Sequence, residues 1–353
     1  MIKRKRGKFA NFNRALVACA ALSLAAHSTF AQQWIPQPSG TKASLRGISA
    51  VNSRIAWASG TGGTYLKTVD GSRWTPSVVP GAEQLDFRGV HAMDARTAIL
   101  MSAGEGAKSR VYRTRDAGAH WTLALTNPDA KGFFDCIAFW DARHGILAGD
   151  PVDGKFVIFA TADGGEHWIR VQGPAALPNE GAFAASNSCV VVRGSREVWL
   201  ATGGPGGARV FHSVAAGKSW ASATTPIRND GAAAGIFSIA FADVTHGVAV
   251  GGDYEKPGDA SQNIAITSNG GRMWTEPRGT HPAGYRSAVT YVAALKLWIA
   301  AGPSGSDVSR DDGKNWQPAG HEAIHALSFA GAAGWASGPA GAIFKFEAKA
   351  SPR

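Results

Sequence analysis

The stretch "TADGGEHW", residues 161–168, places a hydroxyl, an acid, two glycines and a tryptophan in a fixed order. This motif, called the box below, recurs at five further places in the chain. The other copies are "TVDGSRW" at 68–74, "TRDAGAHW" at 114–121, "SVAAGKSW" at 213–220, "TSNGGRMW" at 267–274 and "SRDDGKNW" at 309–316. A motif that occurs once can be a site, but this many copies indicate a repeated structural unit.

The spacing of the boxes sets the length of that unit. Their final tryptophans are separated by 47, 47, 52, 54 and 42 residues, which suits one four-stranded blade of a β-propeller. Apolar runs that end in glycine, such as "GILAG" and "GVAVGG", alternate with turns rich in Asp and Gly. No long stretch repeats with the helical period. The sequence therefore predicts an all-β, seven-bladed β-propeller with four-stranded antiparallel blades.

The seventh unit lies at the C-terminus and has no box. "AIHALSF", "AGWASG" and "GAIFKFE" predict three strands, and "QQWIPQPSG" near the N-terminus supplies the missing one. We expect this N-terminal strand to close the last blade, because closure removes an open sheet edge. The predicted propeller covers residues 32–353, with blades at 45–80, 87–126, 133–173, 183–226, 235–279, 284–319 and 323–347 plus 32–38.

We interpret the box as a tight turn between the third and fourth strands of a blade. Its acid and its hydroxyl accept backbone N–H bonds, its glycine takes a left-handed conformation, and its tryptophan packs against the neighbouring blade. Ala215 and Asn269 replace the acid while glycine and tryptophan persist, which favours a turn over a metal ligand. The predicted structural residues are Asp70, Trp74, Asp116, Trp121, Asp163, Trp168, Trp220, Trp274, Asp311 and Trp316. No metal site and no cofactor is predicted.

The first 31 residues have the pattern of a Sec signal peptide. Residues 1–14 carry six basic residues and no acid, and the apolar run at 15–26 is too short to span a bilayer. "TFA" before Gln32 predicts cleavage after Ala31, and hence a periplasmic or secreted protein with no membrane span. "LVAC" at 16–19 loosely resembles a lipoprotein cleavage site, but the apolar stretch before Cys19 is short.

Charge and cysteine content narrow the class of protein further. Removing the six basic residues of the signal peptide lowers the formal net charge from +10 to +4, and no basic run follows. We therefore expect no nucleic-acid partner, and we expect a monomer. Cys136 and Cys189 lie in inner strands of adjacent predicted blades, but at different heights by our alignment, so a disulfide between them is possible but not favoured.

The boxes resemble the Asp-box, or bacterial neuraminidase repeat, which several propeller families share. The resemblance covers nearly the whole chain after the signal peptide and implies an architecture more than an activity. Sialidases have six blades, fewer boxes, an arginine triad and a tyrosine nucleophile assisted by a glutamate. The photosystem II stability and assembly factor family resembles this chain more closely, with seven blades, a box in most of them and no catalysis. Similar proteins occur in many non-photosynthetic bacteria.

A candidate binding face lies opposite the boxes. The inner strands begin there, and the residue that follows the apolar anchor of each is Arg46, Arg88, Asp135, Ala184, Ser238, Arg286 or His325. Three arginines would thus ring one mouth of the channel, and His325 and Asp135 are binding candidates beside them. Guanidinium groups bind carboxylates in bidentate fashion, so one interpretation is an anion site. The other is a polar lining for a water-filled channel.

Two long loops reach the same face, "GDPVDGKF" at 149–156 and "GGDYEKPGDASQN" at 251–263. Long loops on a rigid scaffold commonly carry binding residues, so Asp150, Asp253 and Tyr254 join the candidates. The alternative for each of them is a solvated residue of an acidic loop.

The sequence and the resemblance together predict an exported, non-enzymatic assembly or stability factor. Arg46, Arg88 and Arg286 would bind an acidic or C-terminal segment of a membrane-associated client protein. The alternative is a sialidase-like glycoside hydrolase or a glycan-binding propeller, in which Tyr254 beside Glu255, or Tyr285, acts as nucleophile. The Phe-Arg-Ile-Pro signature of sialidases is missing, "FRGV" at 87–90 being the nearest approach. No catalytic residue is assigned.

Overall fold

The structure is a computed structural model that describes Met1 and residues 31–349. Residues 2–30 of the predicted signal peptide, with Cys19, and residues 350–353 lie outside the described residues. The described chain folds into seven antiparallel sheets joined by turns and by three single-turn 3-10 helices, Gly106–Lys108, Ala293–Leu295 and Pro339–Gly341. No helix within this part of the chain is long and apolar enough to span a bilayer.

The first six blades take their strands in chain order, with the first strand of each facing the central channel. Blades 1 and 2 contain β2 (Leu45–Ala50), β3 (Ala56–Gly60), β4 (Thr64–Thr68), β5 (Thr75–Val78), β6 (Asp86–Ala92), β7 (Ala98–Ala103), β8 (Arg110–Thr114) and β9 (Thr122–Thr126). Blades 3 and 4 contain β10 (Phe134–Phe139), β11 (Gly145–Val152), β12 (Lys155–Thr161), β13 (Ile169–Val171), β14 (Val190–Arg193), β15 (Glu197–Ala201), β16 (Arg209–Ser213) and β17 (Ala221–Thr224). Blades 5 and 6 contain β18 (Ala234–Phe241), β19 (Gly247–Asp253), β20 (Ile264–Thr267), β21 (Ala288–Val292), β22 (Leu297–Gly302), β23 (Gly305–Ser309) and β24 (Gln317–Gly320).

The last blade is closed by the N-terminal strand, as predicted. Its sheet contains β25 (Ala326–Ala330), β26 (Ala333–Ser337) and β27 (Ile343–Lys349), with β1 (Ala31–Gln37) as the outer strand. The β1 and β27 strands pair over seven residues, from Ala31 opposite Lys349 to Gln37 opposite Ile343. The seven-bladed, all-β architecture expected from the sequence is thus confirmed.

Blade 5 differs from the others in its outer strand, which is reduced to one bridge between Ile266 and Thr275. The backbone groups of these two residues exchange hydrogen bonds of 2.9 and 3.0 Å. Pro277 follows two residues later, where the next N–H of the ladder would point at β20. Proline has no N–H to donate, so the ladder ends there.

Hydrophobic residues fill the seven interfaces between blades rather than one central core. Each of the seven clusters among the described residues combines side chains of two adjacent blades. Between blades 1 and 2, for example, Trp57 packs with Phe87 and Tyr112. Because every blade buries both faces against its neighbours, the strands are apolar on both sides.

The box forms the turn that the sequence predicts. In the third box, the backbone N–H of Gly165 donates to Thr161 Oγ1, and those of Glu166 and His167 donate to Asp163 Oδ1, all at 3.0 Å. Gly165 has a φ of 83°, and a Cβ on it would lie 2.8 Å from Ile99 Cδ1 of blade 2. Glycine is needed there both for its backbone conformation and for the close approach to the preceding blade.

The box tryptophans pack against the preceding blade. Trp74 meets Trp335 of blade 7 edge to face, with ring centroids 6.5 Å apart. Trp121 meets Tyr65 of blade 1 in the same way at 5.0 Å, and Trp316 belongs to a cluster with Val248 of blade 5. The predicted packing of these rings against neighbouring blades is therefore correct.

The two cysteines form the bond that the sequence analysis left possible but did not favour. Cys136 and Cys189 form a disulfide with Cα atoms 6.0 Å apart, and both residues are fully buried. The alignment failed because the inner strand of blade 4 begins only at Val190, after an irregular segment. Cys189 therefore lies level with Cys136, and the bond joins the inner edges of blades 3 and 4.

Candidate functional site

Four inner strands contain a β-bulge near their start. In blade 1, Leu45 pairs with Gly60 and Gly47 with Ser59, so that Arg46 between them has no partner on β3. The equivalent unpaired residues are Arg88 in blade 2, Asp135 in blade 3 and Phe237 in blade 5. A bulge redirects the side chain of its extra residue. All four side chains point into one cavity at the mouth of the channel.

The cavity has a volume of about 510 Å³, and all seven blades contribute to its wall. Cationic and imidazole groups come from blades 7, 1 and 2, carboxyl groups from blade 3, and aromatic rings from blades 4, 5 and 6. In that order the principal lining residues are His325, Arg46, Arg88, Asp135, Asp150, Phe183, Phe237, Tyr254 and Tyr285. The volume falls in the range of small-ligand sites.

Arg46 and Arg88 form the cationic side of the cavity. Arg88 is held in place, because its Nε donates to Asp86 Oδ2 at 2.7 Å and its Nη1 to the carbonyl oxygen of Ala184 at 3.3 Å. Arg46 makes no ion pair with any described residue, and its buried Nε has no hydrogen-bond partner. Burial, and then the neighbouring charge of Arg88, lower the pKa of Arg46. The guanidinium of Arg46 is therefore free to bind an anion.

His325 completes this side. Its Nδ1 lies 3.0 Å from the carbonyl oxygen of Leu45, which links blade 7 to blade 1. Burial and the charge of Arg46 lower the pKa of His325 below its usual value. The shift favours the neutral imidazole, whose Nδ1 donates to that carbonyl oxygen.

Arg286 does not join the ring that the sequence analysis predicted. Its side chain is buried, and both its Nε and its Nη2 lie 2.6 Å from Asp307 Oδ2 on β23 of the same blade. Its remaining donors are taken by Ser304 Oγ and by backbone carbonyl oxygens. The expected third arginine is a structural ion pair within blade 6, and Tyr285 and Ser287 line the cavity instead.

Asp135 and Asp150 form an acidic side next to the arginines. Asp135 is only 1% exposed, and its Oδ2 has no hydrogen-bond partner. Burial, and then the nearby charge of Asp150, raise the pKa of Asp135 well above its usual value. Burial also raises the pKa of Asp150, whose Oδ1 accepts the backbone N–H of Ala182 at 2.9 Å. Both shifts favour the protonated forms of these two carboxyl groups.

Aromatic rings form the third side. Phe183 and Phe237 stack with centroids 3.8 Å apart and planes inclined by 13°. Tyr285 meets Phe237 edge to face at 4.8 Å, and burial raises the pKa of the Tyr285 hydroxyl. The sequence analysis had taken Phe183 and Phe237 as core anchors of their strands. An aromatic anchor is expected to point into the core, so the hydrophobic pattern did not indicate that these two rings face the cavity.

The two predicted loop residues of blade 5, Tyr254 and Asp253, lie in different surroundings. Tyr254 lines the cavity and is 49% exposed. Asp253 is buried outside the cavity lining, where it accepts the N–H of Glu255 at 2.9 Å and lies 3.3 Å from Lys256 Nζ. Ser238, the residue aligned with Arg46 in blade 5, instead accepts the N–H of Val289 at 2.8 Å. The residue that lines the cavity in this blade is its neighbour, Phe237.

A sialidase-type centre needs three converging arginines and a tyrosine hydroxyl bonded to a carboxylate. Arg286 is turned away from the cavity, and within residues 31–349 no carboxylate accepts a hydrogen bond from the hydroxyl of Tyr254 or Tyr285. The geometry is that of a binding cavity with separate cationic, acidic and aromatic sides.

Comparison with known proteins gives matches in structure alone. No family model and no curated protein sequence matches the chain. The structure of YCF48 bound to D1 peptide superposes with a TM-score of 0.63 at 16% identity, covering 90% of this chain and 96% of that one. YCF48 from Cyanidioschyzon merolae gives a TM-score of 0.59 at 19% identity, covering 90% and 99%. YCF48 is a photosystem II assembly factor.

A second group of similar structures is enzymatic. The GH74 xyloglucanase from Xanthomonas campestris gives a TM-score of 0.61 at 16% identity over 88% of this chain, but over only 53% of the enzyme. At these identities the likeness concerns the fold. The expectation that the chain folds as the photosystem II assembly factors do is thereby confirmed.

Proposed function

We propose that this protein is an exported, non-enzymatic assembly or stability factor that binds a client protein in the cavity at the channel mouth. The observation that carries the proposal is the unpaired guanidinium of Arg46 beside the fixed guanidinium of Arg88. The structural likeness to YCF48 bound to D1 peptide supports a peptide segment as the ligand.

The chemistry of the cationic side favours a carboxylate. A guanidinium presents its donors in a planar fork that matches two carboxylate oxygens, and it stays charged even where burial lowers its pKa. Arg46 lacks the counter-ion that Arg286 finds in Asp307. An acidic side chain or a C-terminal carboxylate of the client would supply that counter-ion, and the adjoining rings would pack against its apolar groups.

The disulfide supports export. Cys136 and Cys189 form a buried bond between two blades, and such bonds persist in oxidising compartments such as the periplasm. This agrees with the signal peptide that the sequence predicts at residues 1–31. A client anchored in the adjacent membrane, bound by a monomeric propeller, fits both features.

The test is crosslinked capture from an envelope extract of the source cells with the purified protein. Wild type is compared with Arg46→Ala/Arg88→Ala and with the control Arg54→Ala/Arg96→Ala. The control residues are exposed, belong to the same two blades and lie at the opposite end of the inner strands, so both double variants lose the same charge. We expect one membrane protein to be captured by wild type and control, and to be lost with Arg46→Ala/Arg88→Ala.

Capture that is unchanged by the cavity variant would reject the proposal, provided that thermal unfolding shows all three proteins folded. Capture that fails with both double variants would mean that only net charge matters. In that case the cationic side would be a polar lining of the channel.

A glycan-processing or glycan-binding propeller is the second candidate. The two carboxyl groups beside an aromatic wall, and the likeness of the fold to a GH74 xyloglucanase, favour it. Hydrolysis of a fluorogenic sialoside or of xyloglucan oligosaccharides, abolished by Asp135→Asn or Tyr285→Phe, would establish this function. Absence of turnover together with client capture would leave the assembly factor.

A further inference from the structure

The acidic side of the cavity at the channel mouth has no role in binding an anion. The fold nevertheless directs its two carboxyl groups into the cavity just as it directs the arginines of the cationic side. Asp135 occupies the bulge position that Arg46 and Arg88 occupy in their own blades. Asp150 is likewise unpaired, between Gly149 and Pro151 on β11. The fold therefore directs two carboxyl groups into the cavity by the same device that directs the arginines.

The cost of burying Asp135 is compensated only in part inside the protein. Burial raises the pKa of Asp135 by more than the charge of Arg88 and the backbone N–H groups of Asp150 and Ala184 lower it. Its Oδ2 has no hydrogen-bond partner. Among residues 31–349, no Lys, Arg or His forms an ion pair with Asp135 or Asp150. Arg88, the nearest candidate, is taken by Asp86 and by a backbone carbonyl. A buried carboxyl oxygen without a partner is rare in native proteins, because desolvation is expensive unless a hydrogen bond or a charge offsets it.

Two buried atoms of opposite character are thus left without partners in one cavity. They are Arg46 Nε, which is a donor, and Asp135 Oδ2, which is an acceptor when ionised. A ligand that accepts a hydrogen bond only from Arg46 leaves Asp135 Oδ2 buried and without a partner. A ligand with a carboxylate and a nearby ammonium group would satisfy both, and the ring pair of Phe183 and Phe237 beside the acids would also attract a cation.

We infer that the client segment is bipolar, with a lysine that binds Asp135 and Asp150 a few residues before the carboxylate that binds Arg46 and Arg88. This inference rests on the proposed function and adds the second charge that the cavity recognises. A cavity of 510 Å³ has an edge of about 8 Å when treated as a cube, which is about the length of two to three extended residues. The lysine therefore precedes the carboxylate by about that distance along the client.

The experiment measures the affinity of fluorescein-labelled peptides by fluorescence polarisation. Each peptide ends in a free α-carboxylate and carries either lysine or norleucine at a position about one to four residues earlier, with Phe and Ala as spacers. Norleucine keeps the apolar stem and removes the ammonium group. The proteins are wild type, Asp135→Asn, Asp150→Asn and Arg46→Ala/Arg88→Ala.

At the best spacing we expect lysine peptides to bind wild type about tenfold more tightly than norleucine peptides, as for a hydrogen bond to a charged group. Asp135→Asn and Asp150→Asn should each remove most of that preference while norleucine peptides keep their affinity. Arg46→Ala/Arg88→Ala should weaken both peptide series alike. Because asparagine keeps the shape and one acceptor oxygen, thermal unfolding of the Asp variants serves as the check on folding.

The outcomes separate the two proposals. If peptides bind through the arginines with no preference for lysine at any spacing, the bipolar inference is wrong and the proposed function stands. A lysine preference that survives both Asp variants would also overturn the inference, since the ammonium group would then bind elsewhere. If no peptide with a free carboxylate binds at all, the bipolar inference is wrong, and the capture experiment alone decides the proposed function.

Discussion

The contribution of the box acid to the stability of its turn can be compared at six places in the same molecule. In five boxes the side-chain oxygen at this position accepts the N–H of the residue before the tryptophan, at distances of 2.8 to 3.0 Å. In the fourth box Ala215 stands in its place, and only the hydroxyl of Ser213 remains, accepting the N–H of Gly217 at 3.0 Å. The turn therefore forms even without the acid. We expect that, where the acid is present, its hydrogen bond makes the turn more stable.

Ala215→Asp should stabilise the protein. The new carboxylate would accept the N–H of Ser219, as Asp163 accepts that of His167 in the third box. A hydrogen bond of this kind at an exposed turn contributes about 0.5–1 kcal/mol. The measurement is the free energy of unfolding in urea at pH 7.

Val214→Asp is the matched control for that variant. Val214 is 60% exposed and adjacent, so the substitution changes the net charge equally without placing an acceptor in the turn. Equal stabilisation by both variants would assign the effect to net charge, and the acid would then have no specific role in the turn.

The bulges show how far the position of a side chain could be predicted from the sequence. The residue after the anchor faces the cavity in blades 1, 2 and 3, as the alignment expected for Arg46, Arg88 and Asp135. In blade 5 the inward residue is Phe237 itself, because the bulge begins after Ile236. A shift of one residue in a strand moves every side chain to the other face, and hydrophobic alternation alone does not reveal a bulge.

Strand β1 completes the last blade and so closes the ring of blades. Trp34 holds β1 in place. Trp34 is 4% exposed, meets Phe346 of β27 edge to face at 5.2 Å, and donates from Nε1 to Ser306 Oγ of blade 6 at 3.2 Å. Trp34→Ala should lower the free energy of unfolding by about 3–5 kcal/mol, as for other buried aromatic residues. Hydrogen exchange should speed up first in β27, which would lose its outer partner.

Trp34→Phe is the control for this prediction, because it keeps most of the packing and loses the hydrogen bond. It should destabilise much less than Trp34→Ala. Equal exchange rates in β27 and in the inner strands of Trp34→Ala would show that closure by β1 is not what protects the last blade.

At the scale of the whole molecule, the sequence repeat predicts the number and closure of the blades better than it predicts individual bonds, such as the disulfide between blades 3 and 4. The spacing of the boxes, together with three strands at the C-terminus and one near the N-terminus, was enough to predict seven blades and the closure of the last one. The Cys136–Cys189 bond was not favoured from the sequence, because the irregular segment before β14 has no signature in the repeat. The ion pair of Arg286 with Asp307 was missed for a similar reason, since Arg286 lies in the irregular segment before β21, 21 residues before Asp307 on β23.

The disulfide should stabilise the ring at the joint between blades 3 and 4. It closes a loop with a sequence separation of 53 residues, for which loop-closure entropy gives about 4 kcal/mol. We expect Cys136→Ala/Cys189→Ala, and wild type under a phosphine reductant, to lose a similar amount in the free energy of unfolding, and the reductant to have no effect on the variant. Since Cys136 follows Asp135 directly, peptide binding by the reduced protein should lose part of its lysine preference before it loses affinity for the carboxylate. A reduced protein as stable as the oxidised one would mean that side-chain packing alone holds the two blades together.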